Sequence, residues 1–254
     1  MFPAVYYNPA HYFCSMGQKK LVRFEAIRGF KNVLQYPENM AGTWKEHFGN
    51  QQPITLELAC GKGEYTVGLA TLHPQRNFIG VDVKGNRIYI GARKALQDNL
   101  GNAAFLRTQI DRIAGYFAPG EVESVWITFP DPQLRRSRAR RRLTHPKFLR
   151  LYQQFLAKGG DIHLKTDSPV LYRFTLQVID TYGCTLKEAI DDVYAGGDAS
   201  PELQIKTHYE SLDIAGSNRV HYIRFSLPEH PLPDLDKALQ ELVFATEAPT
   251  GTGH

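Results

Sequence analysis

Residues 54–64 read ITLELACGKGE, an apolar run that ends in a turn containing Gly61 and Gly63. A short continuous apolar run bounded by glycines is typical of a buried parallel strand that leads into a helix. Glycines at such a turn let a ligand approach the backbone where a Cβ atom would block it. We therefore expect a ligand site at this turn, beyond the carboxyl end of the strand.

The alternation of apolar runs and helical spacing continues toward the C-terminus. Further strands are predicted at 77–83, 104–107, 122–129, 162–165, 184–190 and 219–227. Helices are predicted at 65–72, 87–100, 110–117, 148–156 and 170–182. The pair Gly159-Gly160 is predicted to close the helix that precedes the strand at 162–165. Strands that alternate with helices predict an α/β fold with a doubly wound parallel sheet.

The regular pattern divides the chain into three parts. Residues 1–50 are predicted to be an irregular N-terminal arm, residues 51–227 the α/β domain, and residues 228–254 a C-terminal tail with a short helix near 235–244. Residues 16–20 read MGQKK, which is typical of a protein start. This leads to the hypothesis that residues 1–15 are an upstream extension.

Composition excludes several classes of protein. With 43% hydrophobic and 22% charged residues among 254, the chain has enough apolar side chains for a sizeable core. It has no run of about 20 apolar residues, so no membrane span is expected, and no secretory signal is recognisable at the start. Three separated cysteines argue against a disulfide framework or a zinc site. We expect a cytoplasmic protein without a metal.

Two carboxylates beside the glycine turn indicate the kind of cofactor. Asp82 follows Gly63 by 19 residues, at the end of the second strand, where an acidic residue accepts hydrogen bonds from a ribose diol. Thr66 stands where the dinucleotide fingerprint requires glycine, which disfavours a dehydrogenase. Glu57 would repel a pyrophosphate but suits a cationic ligand such as S-adenosylmethionine. The alternative is that Glu57 only caps the turn and that the glycines are sterically required.

The fourth strand leads into a rigid acidic loop and then into a basic segment. Asp131 lies between Pro130 and Pro132, which fix the backbone at the sheet edge, and a rigid loop carboxylate there favours a functional role. Six of the eight residues 135–142 are arginine. Guanidinium groups bind phosphate oxygens, so the segment predicts a nucleic acid as methyl acceptor. A solvated loop without a ligand is the alternative.

Five segments occur in one order along the chain: ELACGKGE at 57–64, FIGVDVK at 78–84, FPDP at 129–132, RRLT at 141–144 and LKTD at 164–167. Together they resemble the bacterial tRNA (guanine-N7-)-methyltransferase family over roughly residues 16–227. The resemblance implies a Rossmann-like class I methyltransferase fold, mostly parallel with an antiparallel last strand. It also implies S-adenosylmethionine as donor, S-adenosylhomocysteine as product and the variable-loop guanine of tRNA as acceptor.

The resemblance also implies residue roles. Cofactor contacts are implied for Glu57, Asp82, Gln109 and Asp131. The glycine turn adds Gly61 and Gly63 to the predicted cofactor site, and Asp111 is a further candidate beside Gln109. RNA contacts are implied for Arg135, Asp167, Thr207, His208, Tyr209 and Glu210. The chain departs from the family in three places. Ala59 replaces a glycine, which we expect to require a negative φ, and Gln133-Leu134-Arg135 replaces Trp-Pro-Lys. Gln109 stands where an acidic or amide residue is common, and the alternatives are that the nearby Asp111 shares its role or takes it over.

The chemistry of guanine N7 sets what the protein must supply. N7 carries a free lone pair, so neither a strong base nor a metal is required. The protein must align the reacting atoms and stabilise the developing positive charge, a role for which Asp131 is the predicted catalytic residue and Asp167 a second candidate. His163 is expected to be a satisfied sheet residue, and Lys165 to pair with either a phosphate or a carboxylate.

Three alternatives to a tRNA methyltransferase remain at this stage. One is a methyltransferase that acts on another RNA. A second is a methyltransferase of proteins or small molecules, which would leave the arginine segment unexplained. The third is a non-catalytic RNA-binding protein on the same scaffold, since a fold does not establish an activity. The sequence does not indicate an oligomeric state.

Overall fold

The computed structural model describes residues 18, 20–197, 199–208, 210–212, 216 and 218–247. The predicted extension at 1–15 and Tyr209 lie outside this part of the chain. Within it, the strands are β1 (Val33–Gln35), β2 (Ile54–Leu58), β3 (Asn77–Asp82), β4 (Ala103–Arg107), β5 (Val122–Thr128), β6 (Leu156–Thr166), β7 (Thr185–Ile190) and β8 (His221–Ser226).

Helices connect and cover these strands. They are α1 (residues 20–26), α2 (Trp44–Phe48), α3 (Glu64–Leu72), α4 (Gly85–Gln97), α5 (Pro146–Tyr152), α6 (Pro169–Thr181), α7 (Pro201–Gln204) and α8 (Asp236–Thr246). Short 3₁₀ helices lie at Ile27–Gly29, Ile110–Tyr116, Arg136–Arg141 and Glu210–Leu212. No described helix has the length and apolar character needed to cross a lipid bilayer.

The described strands form one sheet in the order β1-β4-β3-β2-β5-β6-β8-β7. All neighbours are parallel except β8, which is antiparallel to both β6 and β7. The predicted fold class, a mostly parallel doubly wound sheet with an antiparallel last strand, is confirmed. From β2 the chain continues outward to β3 and β4, and then returns to β5 on the other side of β2. Ligands of open α/β sheets bind at such a switch point, beyond the carboxyl ends of the strands.

Apolar side chains fill both faces of the sheet. Every residue of β2 and β3 is buried, which explains why most of their residues are apolar. Leu56 and Leu58 of β2 pack in the core that α5, α6 and α8 complete, whereas Phe78 packs in the second core under α3 and α4. Burial on both faces is what holds the carboxyl ends of β2, β3 and β5 in a fixed arrangement.

The predicted irregular arm at 1–50 needs correction over its second half. Strand β1 pairs in parallel with β4 and extends the sheet by one strand. Trp44 is fully buried, donates from Nε1 to the Tyr116 carbonyl oxygen at 2.8 Å and stacks on Phe117. The strand was missed because its three residues are too few to show a periodicity.

Gly159-Gly160 does not close a helix. Helix α5 ends at Tyr152, and both glycines lie inside β6, where the register with β5 shifts between Val122 and Ser124. Gly159 has a φ of +69°, and a Cβ atom on Gly160 would lie 2.7 Å from the Glu123 carbonyl oxygen. The glycines therefore permit a bulge within a long strand.

The C-terminal tail contains the helix predicted near 235–244. Leu239 and Val243 of α8 are buried in the core beside α6. At the start of the helix, Asp236 accepts from Arg150 at 2.8 Å and from the hydroxyl of Tyr182 at 2.8 Å. The tail is thereby attached to the face of the sheet that α5 and α6 cover.

Candidate active site

Glu57 lies at the switch point and connects β5 with α3. Its side chain is only 3% exposed and accepts hydrogen bonds from the Thr128 hydroxyl at 2.7 Å, the Thr66 amide at 2.8 Å and the Thr66 hydroxyl. Burial raises the pKa of Glu57 to about 7, against the effect of these donors. Glu57 therefore does cap the turn, as the alternative interpretation holds. Thr66 supplies two of the donors, a role that its sequence position did not indicate.

The glycine turn brings the ends of β2 and β3 together. The amide of Gly61 donates to Asp82 Oδ2 at 3.0 Å, and the amide of Lys84 donates to Asp82 Oδ1 at 2.8 Å. Gly63 has a φ of +69°, and a Cβ atom there would collide with the ring of Phe105. Packing alone thus requires this glycine. Each oxygen of Asp82 keeps a lone pair for a further donor, such as a ribose hydroxyl.

Ala59 corrects one expectation about the turn. A negative φ was expected for this alanine, but its φ is +57°, in the left-handed region. That conformation costs a residue with a Cβ atom about 1–2 kcal/mol. The turn therefore holds an alanine in a conformation that glycine adopts without this cost.

A cavity of about 420 Å³ lies beside the turn, beyond the ends of β3 and β4. Its walls combine acidic, basic and apolar side chains and are formed by Ala59, Asp82, Val83, Thr108, Gln109, Ile110, Asp111, Arg141, Leu143, Lys147 and Phe148. Gln109 and Asp111 therefore line the same cavity as Asp82, and Asp111 also forms an ion pair with Lys147. Apolar walls that also carry the carboxylates of Asp82 and Asp111 fit a nucleoside, whose base is flat and whose ribose carries hydroxyl donors.

Asp131 is exposed at the end of β5, in a loop of unusual backbone conformation. Phe129 has a φ of +44° and Gln133 a φ of +47°. The amide of Gln133 donates to Asp131 Oδ1 at 2.9 Å, and the amide of Phe129 donates to the Lys165 carbonyl oxygen at 2.8 Å. The loop is thereby restrained on both sides of Asp131, which does not line the cavity. Asp167 follows β6 directly and is half-buried.

Three predicted RNA-binding residues, Thr207, His208 and Glu210, lie near the start of α3. The amide of His208 donates to Glu64 Oε2 at 3.0 Å, at the start of α3, and the amide of Glu210 donates to the hydroxyl of Thr207 at 3.2 Å. The carboxylate of Glu210 pairs with Lys165 at 3.0 Å. Of the two partners left open for Lys165, the structure thus supplies a carboxylate.

Lys165 makes backbone contacts as well. Its ammonium group is fully buried and donates to the carbonyl oxygens of Leu203 at 2.8 Å and Ile205 at 3.0 Å. It also lies 5.5 Å from the centroid of the Phe129 ring. Lys165 therefore joins Leu203, Ile205 and Glu210 to the loop that carries Asp131.

We expected all six arginines of the segment 135–142 to face solvent or an anion, but two of them contact the protein. Four of its arginines are exposed, namely Arg135, Arg138, Arg140 and Arg141. Arg142 is fully buried and pairs with Glu247, while Arg136 donates to the Phe244 carbonyl oxygen at 3.0 Å. The reason is that α8 ends beside the segment and offers a carboxylate and free carbonyls. The expectation of a solvated or anion-binding segment thus needs correction for two of six arginines.

His163 behaves as the sequence analysis expected. Its ring stacks on Trp126 with 4.0 Å between centroids, and its Nδ1 lies 2.8 Å from the hydroxyl of Tyr222. Burial lowers the pKa of His163 to about 3, so the ring is neutral at physiological pH. It is a satisfied residue of the sheet.

Comparison with known proteins decides the family. Residues 51–221 match a family described as “Putative methyltransferase”. The chain is 45% identical over 212 residues to a tRNA (guanine-N(7)-)-methyltransferase of Porphyromonas gingivalis, an alignment that covers 79% of this chain and 86% of that one. It is 43% identical over 223 residues to the enzyme of the same name from Christiangramia forsetii, with 84% of this chain and 100% of that one covered.

This chain belongs to the tRNA (guanine-N7-)-methyltransferase family. Solved structures agree at the level of the fold. The 16S rRNA methyltransferase KamB superposes with a TM-score of 0.56 at 14% identity, covering 78% of this chain and 99% of that one. A 30S ribosomal A1408 methyltransferase from an uncultured bacterium gives a TM-score of 0.54 at 14% identity, covering 73% and 92%. The predicted family and enzyme class are confirmed.

The roles of individual residues in this methyltransferase stay predictions. The structure brings Asp82, Gln109 and Asp111 to one cavity and places Glu57 beside it at the switch point. Arg135 and Asp131 lie exposed at the same edge of the sheet. The cavity also has two basic residues that were not assigned to the cofactor, Arg141 and Lys147.

Proposed function

We propose that this tRNA methyltransferase uses S-adenosylmethionine to methylate N7 of the variable-loop guanine of tRNA, and releases S-adenosylhomocysteine. One observation carries the proposal. Arg141 is one of the four exposed arginines of the segment 135–142, and it also lines the cavity of about 420 Å³ beside the glycine turn. A surface suited to phosphate groups thus borders a cavity suited to a nucleoside cofactor, as transfer to a nucleic acid requires.

The cavity supplies what the donor needs. S-adenosylmethionine would bring a methyl group on a sulfonium, which the guanine N7 lone pair can attack without losing a proton. Asp82 would accept from the ribose hydroxyls, and the apolar side chains of Ile110, Leu143 and Phe148 would contact the adenine. Glu57, where ionised, would favour a cationic ligand nearby.

The exposed arginines would hold the RNA by its phosphates. Arg135, Arg138, Arg140 and Arg141 have no acidic partner among the described ion pairs. Guanidinium groups on such a surface bind phosphate bidentately and release counterions from the nucleic acid. We expect the enzyme in the cytoplasm, together with its tRNA substrate.

Catalysis would rest on alignment and charge. Methyl transfer to N7 leaves a positive charge on the purine, and no general base is needed. Asp131 is exposed at the end of β5, and the hydrogen bond from Gln133 fixes one of its oxygens. A fixed carboxylate beside the developing charge stabilises the transition state more than the ground state.

The test is transfer of tritiated methyl from S-adenosylmethionine to unmodified tRNA, followed by borohydride–aniline cleavage at N7-methylguanine. Cleavage at the variable-loop guanine is the expected result. Incorporation without cleavage would leave a methyltransferase of another atom, and cleavage only in a different RNA would leave another substrate. Binding of S-adenosylhomocysteine and tRNA without any transfer would support a non-catalytic RNA-binding protein.

A further inference from the structure

Arg142 holds the backbone that follows Asp131. Its Nε donates to the Pro132 carbonyl oxygen at 3.2 Å, and its Nη2 donates to the Gln133 carbonyl oxygen at 3.2 Å. The side chain is fully buried, with its guanidinium carbon 4.5 Å from the centroid of the Phe174 ring. The guanidinium therefore fixes two consecutive carbonyls of the loop from inside the protein.

Glu247 holds Arg142 from the other side. Its two carboxylate oxygens accept from Nη1 at 2.5 Å and from Nη2 at 2.8 Å. The Glu247 side chain is 13% exposed, and the residue follows the last turn of α8. A bidentate pair of this kind fixes the plane and position of the guanidinium. A buried arginine without a carboxylate would be strongly destabilising.

The loop needs such support because its backbone is strained. Gln133 has a φ of +47°, a conformation that residues with side chains keep only when their surroundings impose it. The carbonyl of Gln133 accepts from Arg142, and the amide of the same residue donates to Asp131 Oδ1 at 2.9 Å. Gln133 therefore connects Arg142 to the Asp131 carboxylate through its own carbonyl and amide groups.

We propose that the Glu247–Arg142 pair is a positioning device for Asp131, through which helix α8 contributes to methyl transfer without touching either substrate. The inference rests on the proposed function, in which Asp131 stabilises the charge on the methylated guanine. Neither Arg142 nor Glu247 needs to contact RNA for this role. A displacement of a catalytic group by about 1 Å costs on the order of a hundredfold in rate.

The experiment compares two carboxylates at opposite ends of α8. Glu247→Gln keeps the size of the side chain but removes the charge that fixes Arg142. Asp236→Asn weakens the attachment of the same helix to Arg150, which lies 2.8 Å away and also donates to the Pro233 carbonyl oxygen. Steady-state methylation of tRNA, binding of S-adenosylhomocysteine and thermal unfolding are measured for both variants, below the unfolding temperature of each.

The expected result is a split between kcat and KM. Glu247→Gln lowers kcat about 10- to 100-fold, while the KM for tRNA and the Kd for S-adenosylhomocysteine change by less than about twofold. Glu247→Asp restores part of kcat because it restores the charge. Asp236→Asn keeps kcat within about twofold of the wild type, even where it lowers the unfolding temperature.

Several results would overturn the inference. A Glu247→Gln enzyme with wild-type kcat would do so, as would equal losses of kcat in Glu247→Gln and Asp236→Asn, or a loss confined to KM. If Glu247→Gln does not fold, Glu247→Asp and Asp236→Glu carry the same comparison. A wild-type chain that transfers no methyl group to tRNA would instead refute the proposed function, and this is seen before any variant is compared.

Discussion

The ammonium group of Lys165 lies 3.0 Å from Oε2 of Glu210, and neither side chain is more than 7% exposed. Lys165 is the next-to-last residue of β6, in the motif LKTD, whereas Glu210 belongs to the segment that the family resemblance assigns to RNA. The carboxylate of Glu210 is thus engaged inside the protein. Its effect on RNA would be exerted through the position of the segment that it anchors.

Removing the charge of Glu210 should destabilise the protein strongly. Glu210→Gln leaves the buried ammonium of Lys165 without a carboxylate, which costs about 3–5 kcal/mol in comparable pairs. Urea unfolding measures the loss. Glu229→Gln is the matched control, because the Glu229–Lys158 pair is exposed on both sides and should contribute less than about 0.5 kcal/mol. A Glu210→Gln variant as stable as this control would show that the pair does not support the fold.

The fold followed from local sequence where burial is continuous. The buried strands β2 and β3 are mostly apolar, and glycines mark the turn between β2 and α3. Strand β1 was missed because its three residues show no periodicity. They form a strand because they pair with β4. Gly159-Gly160 was predicted to close a helix, but the pair lies at a bulge inside β6. Glycine is common at both kinds of position, so the sequence does not distinguish them.

The site was predictable only in its motif residues. Asp82 and Gln109 come to one cavity because Asp82 ends β3 and Gln109 follows β4, two parallel strands whose carboxyl ends meet at one edge. The ion pairs that shape the site join residues 45 and 105 positions apart, Lys165 with Glu210 and Arg142 with Glu247. No local pattern indicates such pairs, because they depend on how distant segments pack.

Replacing Ala59 with glycine should stabilise the enzyme. Ala59 has a φ of +57°, which glycine adopts without the steric cost of a Cβ atom. We expect Ala59→Gly to raise the free energy of unfolding by about 1 kcal/mol in urea titrations. Ala238→Gly, on an exposed face of α8, should lower it by about 1 kcal/mol. A destabilised Ala59→Gly would mean that the alanine methyl makes contacts worth more than the strain.

The exposed arginines should dominate the salt dependence of tRNA binding. Arg135→Ala and Arg138→Ala each remove one phosphate contact in the proposed complex. Each should weaken tRNA binding and reduce the slope of log K against log salt by about 1. Arg93→Ala, on the C-terminal half of α4, should leave both values unchanged. Slopes that do not respond to either arginine would place the RNA elsewhere on the enzyme.

Glu57 should make stability depend on pH. Burial raises its pKa in the folded protein to about 7 from 4.5, so folding favours the protonated carboxyl. Its stabilising contribution is complete below pH 4.5 and is lost as the pH rises through about 7. Glu57→Gln does not titrate, so its free energy of unfolding relative to the wild type should increase between pH 5 and pH 8 by roughly 2 kcal/mol. Urea titrations of both proteins at the two pH values measure this; a difference independent of pH would contradict it.

Asp131 should matter for transfer far more than for binding. The carboxylate is exposed at the end of β5 and makes a hydrogen bond with the Gln133 amide that an asparagine oxygen can also accept. Asp131→Asn therefore keeps the loop and removes the charge, and kcat for tRNA methylation should fall by about a hundredfold or more. Asp131→Ala should lose at least as much, while the Kd for tRNA stays within about twofold for both variants. Asp98→Asn, an exposed carboxylate paired with Lys94, is the control and should leave kcat unchanged. Equal losses of kcat and tRNA affinity in Asp131→Asn would assign Asp131 to substrate binding, since a group that acts only on the developing charge leaves ground-state affinity intact.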